Sequence, residues 1–470
     1  MRKIFLFIIS PVICCVAQAQ AIHAKLDEAV KQLLADEQLK HAMVGFYAVN
    51  SKTNEVVYSL NGNTGLAPAS TQKIFTSIAA FELLGKDYRY KTEMGYNGSI
   101  KGGVLNGNLI ITGYGDPSFG SWRYARTKRD SILVRLVSII RSAGIMHING
   151  DIILNDTKFS YQPVPGGWIW EDIGNYYGAG TWGINWNENQ YDLVLKPGEK
   201  EGDNTEVMET SPEMLIYDVN NQIKTGPKNS GDNGYIYMAP YSVSGFTEGT
   251  IPAGEKKFTI SGSMPYPAVQ FGRELEDRLK GAGITLSGNI IPGAKLSNDK
   301  KTVPAPSASL FTYYSPALDS LVYWFLQKSI NLYGEALAKT IACEKTGAGS
   351  TDKGVELIRN FWQQNGIEAN SIKMQDGSGL SPQNRVTASA EVAALQYART
   401  RPWFSSFFNA LPVYNGTKMK SGTIGGAKAF TGYQTAADGN EYTFSIIINN
   451  YDGSVDAVVK KMYALLNMLK

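Results

Sequence analysis

The chain has 470 residues, with 45 Lys and Arg set against 42 Asp and Glu for a formal net charge of +3, and the two signs are interspersed along it. With no basic stripe or polybasic patch, this composition speaks against nucleic-acid binding and against adhesion to an anionic membrane surface. Such a length outgrows one ordinary core, so two or three domains are expected; 43% hydrophobic residues with 26 Tyr and 8 Trp fit a globular chain able to bind an extended, polar ligand.

Arg2 and Lys3, the short apolar run at 4–16 and the small-residue stretch at 17–21 together predict an export signal, residues 1–20, cleaved near Ala19 or Ala21. Lipidation at Cys14 or Cys15 would require a small residue just before the cysteine, and Ile13 and Cys14 do not fit. Once the signal is removed only Cys343 remains, so no internal disulfide is expected. No second apolar stretch is long enough to span a bilayer. The expectation is an exported, periplasmic protein with no integral membrane span in its mature chain.

Residues 42–60 read as a β-hairpin with a polar turn around Asn50, Lys52 and Asn54. Pro68 and Ser70 then open a helix whose apolar side is Ile74, Phe75, Ile78, Ala79, Phe81 and Leu84, ended by Gly85. From about residue 86 to 304 the texture changes to short alternating runs and Gly/Asn turns, predicting a β-rich insertion with helices near 132–143 and 272–281. Helical periodicity returns after Pro316, where Leu318, Leu321, Val322, Phe325 and Leu326 share one face. A further helix is expected at 355–364, a buried strand at 442–448 and a terminal helix at 456–469. This predicts an α/β (α+β) domain, discontinuous over 21–85 and 305–470, interrupted by 86–304 as two small β-rich domains.

Three motifs in order carry chemistry: Ser70-Thr71-Gln72-Lys73, Ser329-Ile330-Asn331 and Lys420-Ser421-Gly422-Thr423. S-x-x-K, S-x-N and K-[ST]-G in this sequence mark active-site serine enzymes acylated by D-alanyl peptides or β-lactams. A serine hydroxyl needs a base, and a lysine serves only if its pKa falls through burial and a nearby cation. Lys73, one turn from Ser70, is the candidate base and Lys420 the second cation. Ser329 and Asn331, closing the helix that begins near Pro316, could relay a proton and hold the substrate backbone. Lys420, Ser421 and Thr423 on a strand edge could grip a carboxylate, the Thr423 N–H could serve as an oxyanion donor, and Gly422 would let the ligand backbone come close.

Each motif recurs elsewhere, and context has to choose. The S-x-x-K copies beginning at Ser297 and Ser350 lie in polar turns with no apolar helix behind them. Ser59-Leu60-Asn61 ends the hairpin, Lys224-Thr225-Gly226 reads as a turn and Lys345-Thr346-Gly347 as a loop. A Ser-His-Asp hydrolase is poorly supported by three scattered histidines and no G-x-S-x-G elbow, and zinc hydrolysis fails for want of ligands. Cys343 follows an apolar helical run and reads as a structural thiol.

Beyond the motifs, Pro68-Ala69, Gly115-Asp116-Pro117, the run from Gly167-Trp168 to Asp172, Asn331-Leu332-Tyr333-Gly334-Glu335, Asp376-Gly377-Ser378-Gly379-Leu380-Ser381 and Gly432-Tyr433 extend the pattern. From about residue 25 to its end the sequence resembles the low-molecular-mass class C penicillin-binding proteins, the exported D-alanyl-D-alanine carboxypeptidases and endopeptidases of bacterial cell-wall metabolism. The resemblance implies a β-lactamase/transpeptidase-like catalytic domain, an antiparallel sheet flanked by helices, carrying inserted β-rich domains. It implies Ser70 as acylated nucleophile, Lys73 as base, and Asp172 and Tyr177 at the subsite for the stem's third side chain. Muropeptides would be the substrates and β-lactam antibiotics covalent inhibitors, with no metal or cofactor. Pro382 and Gly425 stand where the family often has arginine and glutamine. A serine β-lactamase is the alternative within the same chemistry, and a non-catalytic wall-binding protein the alternative outside it.

Overall fold

The computed structural model describes residues 10–214 and 217–470. Residues 1–9 of the expected export signal lie outside them, and the helix Ser10–Leu34 takes in residues 10–20. Among the described residues no helix is long and apolar enough to cross a membrane.

The chain forms two compact units. Of the described residues, the first takes in 10–79, 359–374 and 382–470. Its centre is a six-stranded antiparallel sheet in the order Val56–Leu60, Met43–Asn50, Glu441–Asn449, Ala427–Thr435, Thr417–Ile424, Val413–Tyr414. Glu441–Asn449 is buried from Tyr442 to Ile448, which explains its near-continuous apolar run: a strand covered on both faces loses the in-out alternation. One face, through Phe46, Phe444, Ile446 and Ile448, packs on Leu26, Val30 and Leu33 and on Val458, Met462 and Leu465 of the helix Val455–Leu466. The helix Ala388–Arg399 also packs on this sheet, with Tyr433 donating from its hydroxyl to the Leu395 carbonyl at 2.7 Å. Phe75, on the Ser70 helix, meets Trp362 edge-on at 5.6 Å.

Of the described residues, the second unit takes in 80–214, 217–358 and 375–381. Its five-stranded sheet runs Ile290–Pro292, Ile152–Asn155, Leu109–Gly113, Lys91–Tyr96, Ala308–Tyr314. The first three of these strands pair in parallel, and helices Arg129–Ser142 and Pro267–Gly281 make the crossovers that parallel pairing requires. Leu109, Ile111, Ile152 and Leu154 form one core with Leu133, Leu136, Phe271 and Leu275. A separate core of Tyr191, Leu193, Leu195, Ile223, Ile236, Ile251 and Ile260 lies beneath short strands between Gln190 and Ser263.

The division differs from the expected one. Past residue 304 the chain returns as Ala308–Tyr314, bonded antiparallel to Lys91–Tyr96, so the insertion's own sheet extends beyond that boundary. The helices Leu318–Gln327 and Asn331–Thr346 fall in the same unit. Three readings of duplicate motifs are also corrected. Ser350 immediately precedes a real amphipathic helix, Thr351–Gln364, with Val355, Ile358, Phe361 and Trp362 buried. Lys224–Gly226 is a strand paired with Ser244–Pro252, not a turn. Lys345 and Thr346 end a helix that Gly347 caps in the left-handed region, not a loop.

Candidate active site

In the first unit Ser70 lies on a 3-10 turn, Ala69–Gln72, that runs directly into the helix Lys73–Leu83. Ala69, fully buried, holds φ +49, a left-handed conformation that costs a non-glycine residue about 1 kcal/mol and that the surrounding packing must impose. The turn is pinned by the Thr71 hydroxyl, which donates to the Pro68 carbonyl at 2.8 Å. Lys73 is fully buried, and its Nζ donates to Ser70 Oγ at 2.9 Å. A nucleophile and a potential proton acceptor are therefore already in hydrogen-bond contact.

The strand Thr417–Ile424 lies against this turn. A Cβ on Gly422 would come within 2.4 Å of the Pro68 carbonyl, 2.9 Å of Ser70 N and 3.0 Å of Thr71 N. Glycine is thus required because the nucleophile's own turn occupies the space, not to admit a ligand backbone as expected from the sequence. Two residues earlier Lys420 is fully buried and donates to the Ser421 carbonyl at 2.7 Å. Burial, then the ammonium groups of Lys73 and Lys428, hold its pKa well below the ordinary lysine range. Lys420 consequently releases a proton more readily than a solvated lysine would.

Lys428 escaped the sequence reading. It lies opposite Thr423 in the neighbouring strand and donates to the Thr423 hydroxyl at 2.7 Å. Burial pushes its pKa down to about 8, with Asp456 opposing. Its signal was there: one lysine in Ala427–Thr435, a strand buried from end to end but for the last residue. Ser421 is half-buried and Thr423 exposed, so both hydroxyls are open to a ligand. Glu391, equally unforeseen, is fully buried behind the same strands, accepts from the Ser445 hydroxyl at 2.7 Å and has its pKa raised by burial to about 7.

In the second unit Asn331 opens the helix Asn331–Thr346 instead of closing the preceding one, and Ser329 sits in the intervening turn at φ +56. Asn331 Nδ2 donates to the Tyr177 carbonyl at 2.7 Å, so the S-x-N motif and the predicted recognition residues belong to one assembly. Asp172, on the short helix Trp170–Ile173, is half-buried; burial first and then Glu171 raise its pKa to about 6. Burial, then the Asp172 charge, raises the Tyr177 phenol.

Behind these residues the helix Asn331–Thr346 carries buried charges. Lys339 donates to the carbonyls of Gln162 at 2.7 Å, Thr181 at 3.1 Å and Pro163 at 3.3 Å, clamping both ends of the segment that holds Asp172 and Tyr177. Glu335 accepts from the Gly377 N–H at 3.0 and 3.2 Å. Burial, then Asp376, raises the Glu335 carboxyl, while burial lowers Lys339. Asp376 accepts from Trp168 Nε1 at 2.8 Å, Gly379 N at 2.7 Å and Ser381 N at 2.6 Å, which gives the Asp376–Ser381 run a structural reason. Cys343 is partly buried with its thiol pKa raised, unlike a reactive thiolate. Among the described residues no group of three or more His, Cys, Asp or Glu is placed to hold a metal ion.

The first unit thus brings Ser70, Lys73, Lys420, Gly422 and Thr423 together, and the second joins Asn331 to the segment bearing Asp172 and Tyr177. Known proteins are similar to this chain in sequence and in fold. A D-alanyl-D-alanine carboxypeptidase from an Actinomadura species is 27% identical, covering 94% of this chain and 84% of its own. D-alanyl-D-alanine carboxypeptidase DacB of Haemophilus influenzae is 24% identical over 89% of this chain and 88% of its own. The crystal structure of penicillin binding protein 4 (dacB) from Haemophilus influenzae superposes with a TM-score of 0.80 at 22% identity, covering 95% of this chain and 99% of that one, a likeness of fold. Residues 26–468 match the description of the D-Ala-D-Ala carboxypeptidase 3 (S13) family, and the chain belongs to that family of serine peptidases.

Proposed function

We propose that Ser70 attacks the carbonyl of the penultimate D-alanine of a peptidoglycan stem, in the manner of a D-alanyl-D-alanine carboxypeptidase and DD-endopeptidase. The observation that carries this reading is the 2.9 Å contact between Lys73 Nζ and Ser70 Oγ, in a buried setting where a second lysine lies close enough for Lys73's charge to act on it. As the Ser70 oxygen bonds to the carbonyl carbon, its proton passes to a neutral Lys73. The Ser70 and Thr423 N–H groups stabilise the developing oxyanion. Breaking the C–N bond sends a proton to the leaving amine, a transfer assigned to Ser329 with Asn331 holding the stem backbone. Water then hydrolyses the ester and regenerates the serine.

Lys420, Ser421, Thr423 and Lys428 supply the charge and hydroxyls for the terminal carboxylate, which a β-lactam also presents. Asp172 and Tyr177 receive the third side chain of the stem. An exported, periplasmic setting, with the signal cleaved near Ala19 or Ala21, fits this substrate. It is supported by the basic and apolar N-terminus and by the family's activity on D-alanyl peptides.

Labelled penicillin tests the reading together with D-alanine release from monomeric and cross-linked muropeptides assayed side by side. Stable labelling with D-alanine release is the expected outcome, and the ratio of the two activities gives the carboxypeptidase–endopeptidase balance. Rapid label release with drug hydrolysis would instead make the chain a β-lactamase, and absence of labelling a non-catalytic wall binder.

A further inference from the structure

The strands Asn233–Tyr237 and Ser244–Pro252 pair antiparallel with Tyr235 opposite Glu248 and Tyr237 opposite Phe246. Residues opposite one another, and those two apart along a strand, share a face. Tyr235, Tyr237, Phe246 and Glu248 therefore stand on one side of the ladder, while Ile236 and Thr247 are buried on the other. The rings of Tyr237 and Phe246 are stacked at 4.8 Å and 14°. Trp170, nearly half exposed, approaches Tyr237 at 5.9 Å, so the shelf continues onto the helix that carries Asp172.

The junction between shelf and helix is built in. Asn175 Oδ1 accepts from the Ile236 N–H at 3.1 Å, and a Cβ on Gly174 would come within 1.9 Å of the Ile236 carbonyl. At the other side Glu248 also lines a cleft of about 560 Å³ together with Asn204, Asn221, Gln222, Lys224 and Gly249.

We propose that this shelf and cleft form a carbohydrate subsite for a β-linked chain of N-acetylated hexosamines, the glycan to which the stem peptide is attached. An aromatic face accepts the C–H face of a sugar ring, and the amides and charged groups of the cleft pair with hydroxyl and acetamide groups. A partner with an apolar contact surface would leave the Glu248 carboxylate and the Gln222 amide unpaired, whereas Asn221 is already bonded to Thr205 and Thr247. An anionic polymer is disfavoured by Glu171 and Glu248, whose charges act on Tyr237. The proposal rests on the functional reading above: if Asp172 and Tyr177 read a stem peptide, the sugar bearing that stem passes close by.

The test is isothermal titration of the full chain with penta-N-acetylchitopentaose, with maltopentaose as control, alongside penicillin acylation of the same samples. Wild type is expected to bind the chitin oligomer and not maltopentaose. Tyr237→Ala and Trp170→Ala are each expected to weaken binding about tenfold by losing a ring face, and Glu248→Gln severalfold, with penicillin acylation unchanged. Glu248 is exposed, so its variant keeps the test valid if an aromatic variant folds poorly. No chitin-oligomer binding by wild type, or undiminished binding by all three variants, overturns the proposal. Failure of penicillin to acylate wild type would instead strike the functional reading, which the sugar titration does not measure.

Discussion

Lys420 and Lys339 are both fully buried lysines, yet their surroundings differ in kind. Lys339 donates to three backbone carbonyls, and burial lowers its pKa to about 7 with Glu335, four residues earlier on its helix, opposing. Lys420 donates to one carbonyl, and the charges that act on it, from Lys73 and Lys428, are both positive. A buried cation with its donors satisfied holds a fold together. Buried cations that act on one another are costly to keep charged, and that cost favours release of a proton.

Removing each lysine separates these roles. Lys420→Ala is expected to slow penicillin acylation by about a thousandfold, through loss of the carboxylate grip and of the charge beside Lys73, with stability unchanged or slightly raised. Stopped-flow acylation and a denaturant melt on one preparation check this; equal losses in both would make Lys420 structural. Lys339→Met should do the reverse. Three carbonyls lose their donor, so about 3 kcal/mol of stability is expected to go in a denaturant titration, while Ser70 in the remaining folded protein is still acylated.

Lys428 is the intermediate case. Its pKa of about 8 means it is charged at neutral pH and loses charge above pH 8, so KM for a carboxylate-terminated peptide should rise there while kcat changes little. Lys428→Gln should raise KM about tenfold at pH 7 and abolish that alkaline rise, since position 428 then has no titrating group. A KM that still climbs above pH 8 would assign the alkaline step to another residue. Asp172 gives the smallest effect. Burial raises its carboxyl to about 6, so it carries charge only above that pH. Recognition of a stem with a cationic third side chain should therefore strengthen as pH rises through 6. Asp172→Asn should flatten that limb and cost about fivefold in kcat/KM at pH 7.5 for the cationic stem alone, within the worth of a partly exposed ion pair.

What could be read from the chain was the part governed by local pattern. The hairpin, the helix behind Ser70 and the strand at Tyr442 follow from side-chain periodicity, and the three motifs follow from their order. The stated reason for preferring the first copy over Ser350 does not hold, because Ser350 too is followed by a helix with a buried face. The difference lies in the lysine: Lys73 is fully buried against Ser70, whereas Lys353 pairs with Glu356 at the surface. Periodicity cannot report burial of a polar residue, and for the same reason Lys428, Glu391 and Lys339 went unseen within apolar runs. The left-handed residues Ala69 and Ser329 were equally hidden, since tertiary packing imposes their backbone without a Gly or Asn to signal it. Nor did a motif spacing show that Gly422 answers to the serine's turn across the sheet edge.

The most direct measurement is intact mass of the protein after brief exposure to benzylpenicillin, followed by proteolysis and fragmentation of the modified peptide. One drug equivalent should appear on the peptide containing Ser70, and none on Ser70→Ala. An adduct on Ser297, Ser350 or Cys343, or an unmodified wild-type mass while the folded protein is shown intact, would contradict the assignment of Ser70 as the acylated residue.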